Sequence, residues 1–143
     1  MLDIKQIMKI MQQRYPFIFI DKVIDYKFND FSIACKNVTM NEFWVQGHFE
    51  GEPIFPGVLL VEAAAQAGAF IFYDKDSEEQ RIRGKLSSIP FFKFIRPVVP
   101  GDQLMIRAEY MEKFANMAKV RVLVTVDGKR TAEGELTYAF TNL

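Results

Sequence analysis

Gly57-Val58-Leu59-Leu60-Val61-Glu62-Ala63-Ala64-Ala65-Gln66-Ala67-Gly68-Ala69-Phe70-Ile71-Phe72-Tyr73 is almost uniformly apolar and rich in alanine, which predicts a helix. The apolar run from Val58 to Phe72 is shorter than a membrane span needs and carries Glu62 and Gln66, so no membrane insertion is expected. A water-soluble helix that is apolar all round has to be covered on every side. The rest of the chain must supply that cover.

The strands that do so are read on both flanks. Downstream, residues 85–94, 103–113, 118–126 and 130–141 are strand-like, divided by turns at Pro97-Val98-Val99-Pro100-Gly101-Asp102, Phe114-Ala115-Asn116-Met117 and Asp127-Gly128. Val120, Val122, Val124 and Val126 alternate with Arg121, Leu123 and Thr125, so one face of this sheet packs on something apolar. Upstream, residues 19–28 and 31–38 are aromatic and β-branched around Asn29-Asp30, the pattern of an antiparallel hairpin. Ile4, Met8 and Met11 recur at helical spacing after Asp3, a suitable N-cap, and predict a short first helix ending before Tyr15-Pro16. Residues 40–56 hold two glycines and two prolines without a sustained period and read as a functional loop. The expected architecture is α+β, a curved antiparallel sheet wrapped around the helix at 57–73 and completed by a second subunit.

With 143 residues, half of them hydrophobic, residues 1–143 are expected to form a single domain. Lysine plus arginine equals aspartate plus glutamate, 18 against 18, which gives no basis for a nucleic-acid partner. The lone Cys35 has no intrachain partner, and the opening Met1-Leu2-Asp3-Ile4-Lys5-Gln6 lacks the basic-then-apolar order of a secretory signal. A cytoplasmic location is therefore expected. One histidine, one distant cysteine and no clustered carboxylates fall short of a zinc site, and no phosphate-binding loop is present, so chemistry without a metal or cofactor is expected.

Two residues stand out chemically. His48 is the only histidine, in Gln46-Gly47-His48-Phe49-Glu50-Gly51-Glu52-Pro53, a loop where Phe43, Trp44, Phe49 and Phe55 can shield an imidazole. A solitary histidine more often makes one structural hydrogen bond. Glu62 is the one carboxylate of the apolar helix, where burial disfavours its charged form unless a partner compensates, and Gln66, one turn later, can hydrogen-bond it. Glu62 serves either acid–base chemistry or a structural or dimer contact. At the helix start, Pro56-Gly57 presents unpaired N–H groups able to hold a carbonyl oxygen, although such a start is ordinarily structural.

Taken together, Arg14-Tyr15-Pro16-Phe17, Asp21-Lys22-Val23, Gly47-His48-Phe49, Pro56-Gly57-Val58-Leu59, Glu62-Ala63, Ala65-Gln66 and Arg96-Pro97-Val98-Val99-Pro100-Gly101-Asp102 resemble the FabZ-type 3-hydroxyacyl-acyl-carrier-protein dehydratases of bacterial fatty-acid synthesis. The resemblance runs through nearly the whole chain in one order. It implies a hotdog fold, a homodimer that in some members assembles into a trimer of dimers, and loss of water from a (3R)-hydroxyacyl thioester to give the trans-2-enoyl thioester, without a cofactor. His48 of one subunit would face Glu62 of the other, acting as base and acid in an order left open, with Gly57 N–H polarising the thioester carbonyl and Gln66 orienting Glu62. Phe49 and Val58 would line the acyl tunnel, and Phe91 and Phe92 either line or gate it or simply pack as two aromatics in their strand. The acidic acyl carrier protein would dock on a basic rim, foremost Lys93 and Arg96, with Arg81, Arg83 and Lys85 as further candidates.

The chain departs from the family pattern in three places: Gln13 stands for a usual histidine, Glu50 for a usual proline after Gly-His-Phe, and Pro90-Phe91 for a commonly charged pair. None removes a catalytic group. Within the same fold, a hotdog thioesterase, an isomerising dehydratase and a non-catalytic acyl-binding protein are the alternatives.

Overall fold

The computed structural model describes residues 1–47 and 51–140. Asp3 starts the first helix, α1 (Ile4–Ile10), with a capping box: its carboxylate accepts the Gln6 N–H, and Gln6 Oε1 accepts the Asp3 N–H, each at 2.9 Å. The Arg14 guanidinium donates to the carbonyls of Met8 (2.6 Å) and Met11 (2.9 Å), satisfying the far end. The row that α1 buries is Ile7, Ile10 and Met11, whereas Ile4 and Met8 are more than a third exposed. The predicted Ile4/Met8/Met11 stripe is therefore corrected. Two apolar rows interleave on this helix, and a bridge between Leu2 and Val23 pins its entry so that the second row faces the sheet.

Strands β1 (Lys22–Lys27) and β2 (Phe31–Asn37) form the expected antiparallel hairpin, with Asn29 in the left-handed region at φ 57°. β1 begins three residues later than predicted, because the Phe19 N–H donates to the Gln66 side chain instead of joining the ladder. Among the described residues of the long loop, Phe43–Gly47 forms a short 3₁₀ helix. It leads to the central helix α2 (Gly57–Ala69), which tightens into a 3₁₀ turn at Phe70–Phe72, so the predicted 57–73 helix is regular only to residue 69.

β3 (Lys85–Phe94), β4 (Gln103–Phe114), β5 (Met117–Val126) and β6 (Lys129–Ala139) complete a six-stranded antiparallel sheet in the order β1-β2-β4-β5-β6-β3 among the described residues. Asp127 and Gly128 have φ of 51° and 77°, the two positive values that a tight hairpin turn requires. Pro90 sits inside β3, which is tolerated because β3 is an edge strand whose register slips between Ser88 and Phe91.

The sheet curls around α2. Leu59, Leu60, Ala63, Ala64, Ala67 and Gly68 are buried against Ala34, Ile106, Ala108, Val120, Val122 and Leu136 in one core, and Val120, Val122 and Val124 have no exposed surface. This is the hotdog arrangement. One stripe of the helix stays uncovered within the chain: Val58 is 78% exposed, and Val61, Glu62 and Ala69 are partly exposed. No described helix is long and apolar enough to cross a membrane.

Candidate active site

Glu62 lies one and a half turns into α2 on that uncovered stripe. Gln66 is one turn further on and 2% exposed, and its amide is fully used. Gln66 Nε2 donates to Glu62 Oε1 (3.0 Å) and to the Phe17 carbonyl (2.9 Å), while Gln66 Oε1 accepts the Phe19 N–H (2.8 Å). The extended segment Phe17–Phe19 thus clamps Gln66, and Gln66 holds Glu62. Glu62 is not sealed in the apolar interior that the sequence implied; it faces a cavity.

That cavity has a volume of about 340 Å³. Glu62, Ala65, Gln66 and Ala69 supply the helix wall, Met11, Gln12 and Gln13 a second, and residues 82–86 a third, with Tyr138 from β6 between them. Its character is one carboxylate at one end of a small-residue trough. Arg83 and Lys85 stand at its lip, and Arg83 pairs with Glu79 at 2.6 Å. Tyr138 is buried; its hydroxyl donates to the Ala65 carbonyl at 2.5 Å, and burial, followed by the nearby Glu62 charge, pushes its pKa well above the ordinary range.

The start of α2 is a second element of the site. Pro56 caps it with its carbonyl, which accepts the N–H groups of both Leu59 and Leu60 at 3.0 Å, and no side chain covers the end. The Gly57 N–H has no acceptor among the described residues. A Cβ at Gly57 would lie 2.9 Å from the Phe94 ring, so the close approach that glycine allows here is to β3.

His48, Phe49 and Glu50 lie outside the described residues. The chain leading to them is anchored by a pair that sequence reasoning missed. Lys36, 5% exposed in β2, places Nζ 2.9 Å from Glu42 Oε1 and 5.4 Å from the ring centres of both Phe19 and Phe55, and Glu42 Oε2 accepts the Thr39 N–H at 2.7 Å. Trp44 and Phe55, expected to shield an imidazole, pack edge to face at 5.4 Å beside this pair, and Phe43 is half exposed. The available signal was only a lysine directly after the apolar run Ile33-Ala34-Cys35, at a strand end where a charge is ordinary.

Other predicted residues fall apart from the cavity within one chain. Val58 points outward, Phe91 is 47% exposed on the edge strand, and Phe92 packs against Phe94 at 5.3 Å, so none of them lines the space beside Glu62. Lys93 and Arg96 are exposed on either side of Phe94, near the start of α2, whereas the cations at the cavity lip are Arg83 and Lys85. Gln13, noted as a departure, lines the cavity.

The chain is similar to known proteins in sequence and in fold. The model of the FabA-like domain family matches residues 11–135. The chain is 41% identical to the 3-hydroxyacyl-[acyl-carrier-protein] dehydratase FabZ of Nitratidesulfovibrio vulgaris (strain DP4), across 99% of this chain and 92% of the relative. It is also 41% identical to the FabZ of Listeria monocytogenes serotype 4b (strain CLIP80459), across 100% and 99%. An uncharacterized protein from Pyrococcus horikoshii has the same fold at a TM-score of 0.73 and 16% identity, covering 100% of this chain and 97% of that one. With a family match over most of its length and relatives this similar from end to end, the chain belongs to the FabZ-type dehydratases of the FabA-like family.

Proposed function

We propose that the protein removes water from (3R)-3-hydroxyacyl thioesters on acyl carrier protein, giving the trans-2-enoyl thioester in fatty-acid elongation. The observation that carries this reading is Glu62 at the edge of a trough, held by a glutamine that is itself clamped on both sides. A positioned carboxyl group is what departure of a hydroxyl needs, since the poor leaving group must gain a proton as its bond breaks. In this reading His48 takes the proton from the carbon next to the carbonyl, the Gly57 N–H stabilises the enolate oxygen, and Glu62 protonates the hydroxyl, which leaves as water. The Gly57 N–H, without an acceptor among the described residues, supports the second role.

The reading requires a dimer in which His48 meets the partner's Glu62. Support comes from edge strand β3, where Leu86, Ile89, Phe91 and Phe94 are each 37–52% exposed, and from the bare Val58. A single subunit leaves this apolar edge and the outer stripe of α2 in water, and pairing of two copies would cover both. In that assembly Val58, Phe91, Phe92 and Phe49 of one subunit would flank the entrance by which the acyl chain reaches the partner's Glu62 cavity. Lys93 and Arg96 are the docking residues for the acidic carrier, and exposed position beside the helix start supports them. Assembly beyond two subunits belongs to the same experiment as the dimer: light scattering on the purified protein reads the number of copies directly.

The decisive test of the reaction is hydration of crotonyl thioester, followed as loss of ultraviolet absorbance. Hydration without release of free thiol is the expected result. Thiol release would assign a thioesterase, a shifted double bond an isomerising dehydratase, and neither signal a non-catalytic acyl-binding protein.

A further inference from the structure

We infer that Tyr138 is the stop that limits how long an acyl chain the Glu62 cavity accepts. The inference rests on the dehydratase reading above and concerns its substrate range.

The cavity runs along α2 from Glu62 past Ala65 and Gln66 to Ala69. Seven residues of helix span about 10 Å at the usual rise of about 1.5 Å per residue. One end is polar, at Glu62, and the other is apolar, at Ala69 and Ile82, which suits a linear occupant with a reacting head and an apolar tail. Tyr138 is the aromatic residue among the lining groups and is 2% exposed, while Gln12, Arg83, Lys85 and Leu86 at the mouth are exposed.

Its ring is fixed from three directions. The hydroxyl donates to the Ala65 carbonyl, and it occupies the space where a Cβ of residue 68 would stand, 2.6 Å away, so the absence of a side chain at Gly68 is what admits it. Behind it, Phe72 meets the Tyr138 ring edge to face at 5.3 Å, and Phe140 meets Phe72 at 4.7 Å. Leu86, at the lip, is the direct cross-strand neighbour of Tyr138. A phenol locked in this way forms a wall that does not move aside, and the volume it occupies is denied to the tail of the substrate.

The test compares kcat/KM for carrier-bound trans-2-enoyl chains of four, eight and twelve carbons in the full-length protein. Tyr138→Ala should raise the twelve-to-four-carbon ratio by about tenfold or more, within the range by which apolar pockets discriminate chains differing in methylene content. Tyr138→Phe, which keeps the ring and removes only the hydroxyl, should hold that ratio within about twofold of the unsubstituted protein. Ala69→Leu, on the partly exposed opposite wall, narrows the same space and should lower the ratio by about tenfold, which keeps the inference testable if Tyr138→Ala fails to fold.

An unchanged ratio in folded Tyr138→Ala or in Ala69→Leu overturns it, as does a Tyr138→Phe ratio shifted as far as that of Tyr138→Ala. If the unsubstituted protein hydrates no chain length at all, the dehydratase reading itself fails. A protein that turns over substrate with ratios insensitive to both walls loses only the chain-length assignment.

Discussion

Gln66 joins Glu62 to the segment Phe17–Phe19 through a single side-chain amide, with Nε2 3.0 Å from Glu62 Oε1 and Oε1 2.8 Å from the Phe19 nitrogen. Gln66→Leu removes all of these bonds at similar volume. The Phe17 carbonyl is near water, since Phe17 is 44% exposed, but Phe19 is 2% exposed and its N–H is left without a partner. Stability should fall by about 1–3 kcal/mol, the cost of one buried unsatisfied group, read from urea unfolding. Turnover should fall further than the population of folded protein accounts for, because Glu62 loses its orienting donor. Unchanged kcat at full folding would leave Gln66 a purely structural clamp.

Glu62→Gln tests the acid itself. The substituted amide oxygen still accepts the Gln66 N–H, so the clamp survives and the fold is retained, while the ability to deliver a proton is lost. Turnover should drop by about 10²- to 10⁴-fold, the usual scale for one acid–base group, and His48→Ala should match it. Circular dichroism equal to that of the unsubstituted protein separates chemistry from unfolding. Near-normal turnover in either variant removes that residue from the mechanism.

How much of this was legible in the chain depends on how local each signal is. The Asp127-Gly128 turn, the Asn29-Asp30 turn and the valine alternation of β5 are set by neighbours in sequence, and the fold follows them. The Glu62–Gln66 bond is also local, one helical turn, and was readable for that reason. The partners that complete the site are distant: Phe19 to Gln66 spans 47 residues, and Tyr138 to Ala65 spans 73. No periodicity reports such contacts. The misjudged face of α1 has the same origin, since two apolar rows were present and only the Leu2–Val23 bridge selects between them.

The Lys36–Glu42 pair predicts a large stability effect in the loop that leads to His48. Both side chains are mostly buried, 6% and 15% exposed, and removing one partner strands the other. Glu42→Ala should cost about 3–5 kcal/mol, the range for breaking a buried pair. The Thr39 N–H loses its acceptor in the same variant. The thermal midpoint should fall by roughly 10 °C or more for a chain of this size. A shift of a degree or two would mean that water replaces the carboxylate at little cost.

Gly134 faces β3 so closely that a Cβ there would lie 2.6 Å from the Phe91 carbonyl oxygen and 2.4 Å from the Phe92 ring. The ring can turn, but the backbone oxygen cannot move without pulling β3 off β6. Gly134→Ala should destabilise the protein by about 1–3 kcal/mol through overpacking, and because β3 is the proposed pairing edge, the assembled form should weaken in parallel. Light scattering and unfolding on the same sample check both. An intact dimer in a destabilised variant would move the pairing surface away from β3.

Among the described residues three groups carry raised pKa values: Tyr138 and Tyr73, from ordinary values of 10.0, and Cys35, from 9.0, with burial the first cause in each. Second causes are the Glu62 charge for Tyr138, Tyr26 for Tyr73 and Asp21 for Cys35. All three are neutral when protonated, so above about pH 9 the unfolded chain releases protons that the folded chain keeps. The folded state then binds more protons than the unfolded one, and the sign of the linkage makes stability fall as pH rises. These groups should leave stability flat below pH 9 and lower it steadily above. For the buried Tyr138 the slope above pH 10 is about 1.4 kcal/mol per pH unit, and Tyr138→Phe should remove that part of it. Urea midpoints measured from pH 7 to pH 11 in both proteins check this, and parallel declines would show that the Tyr138 phenol ionises in place. Cys35, 6% exposed, gives an independent readout, because its reaction with a thiol reagent should track global unfolding across the same range.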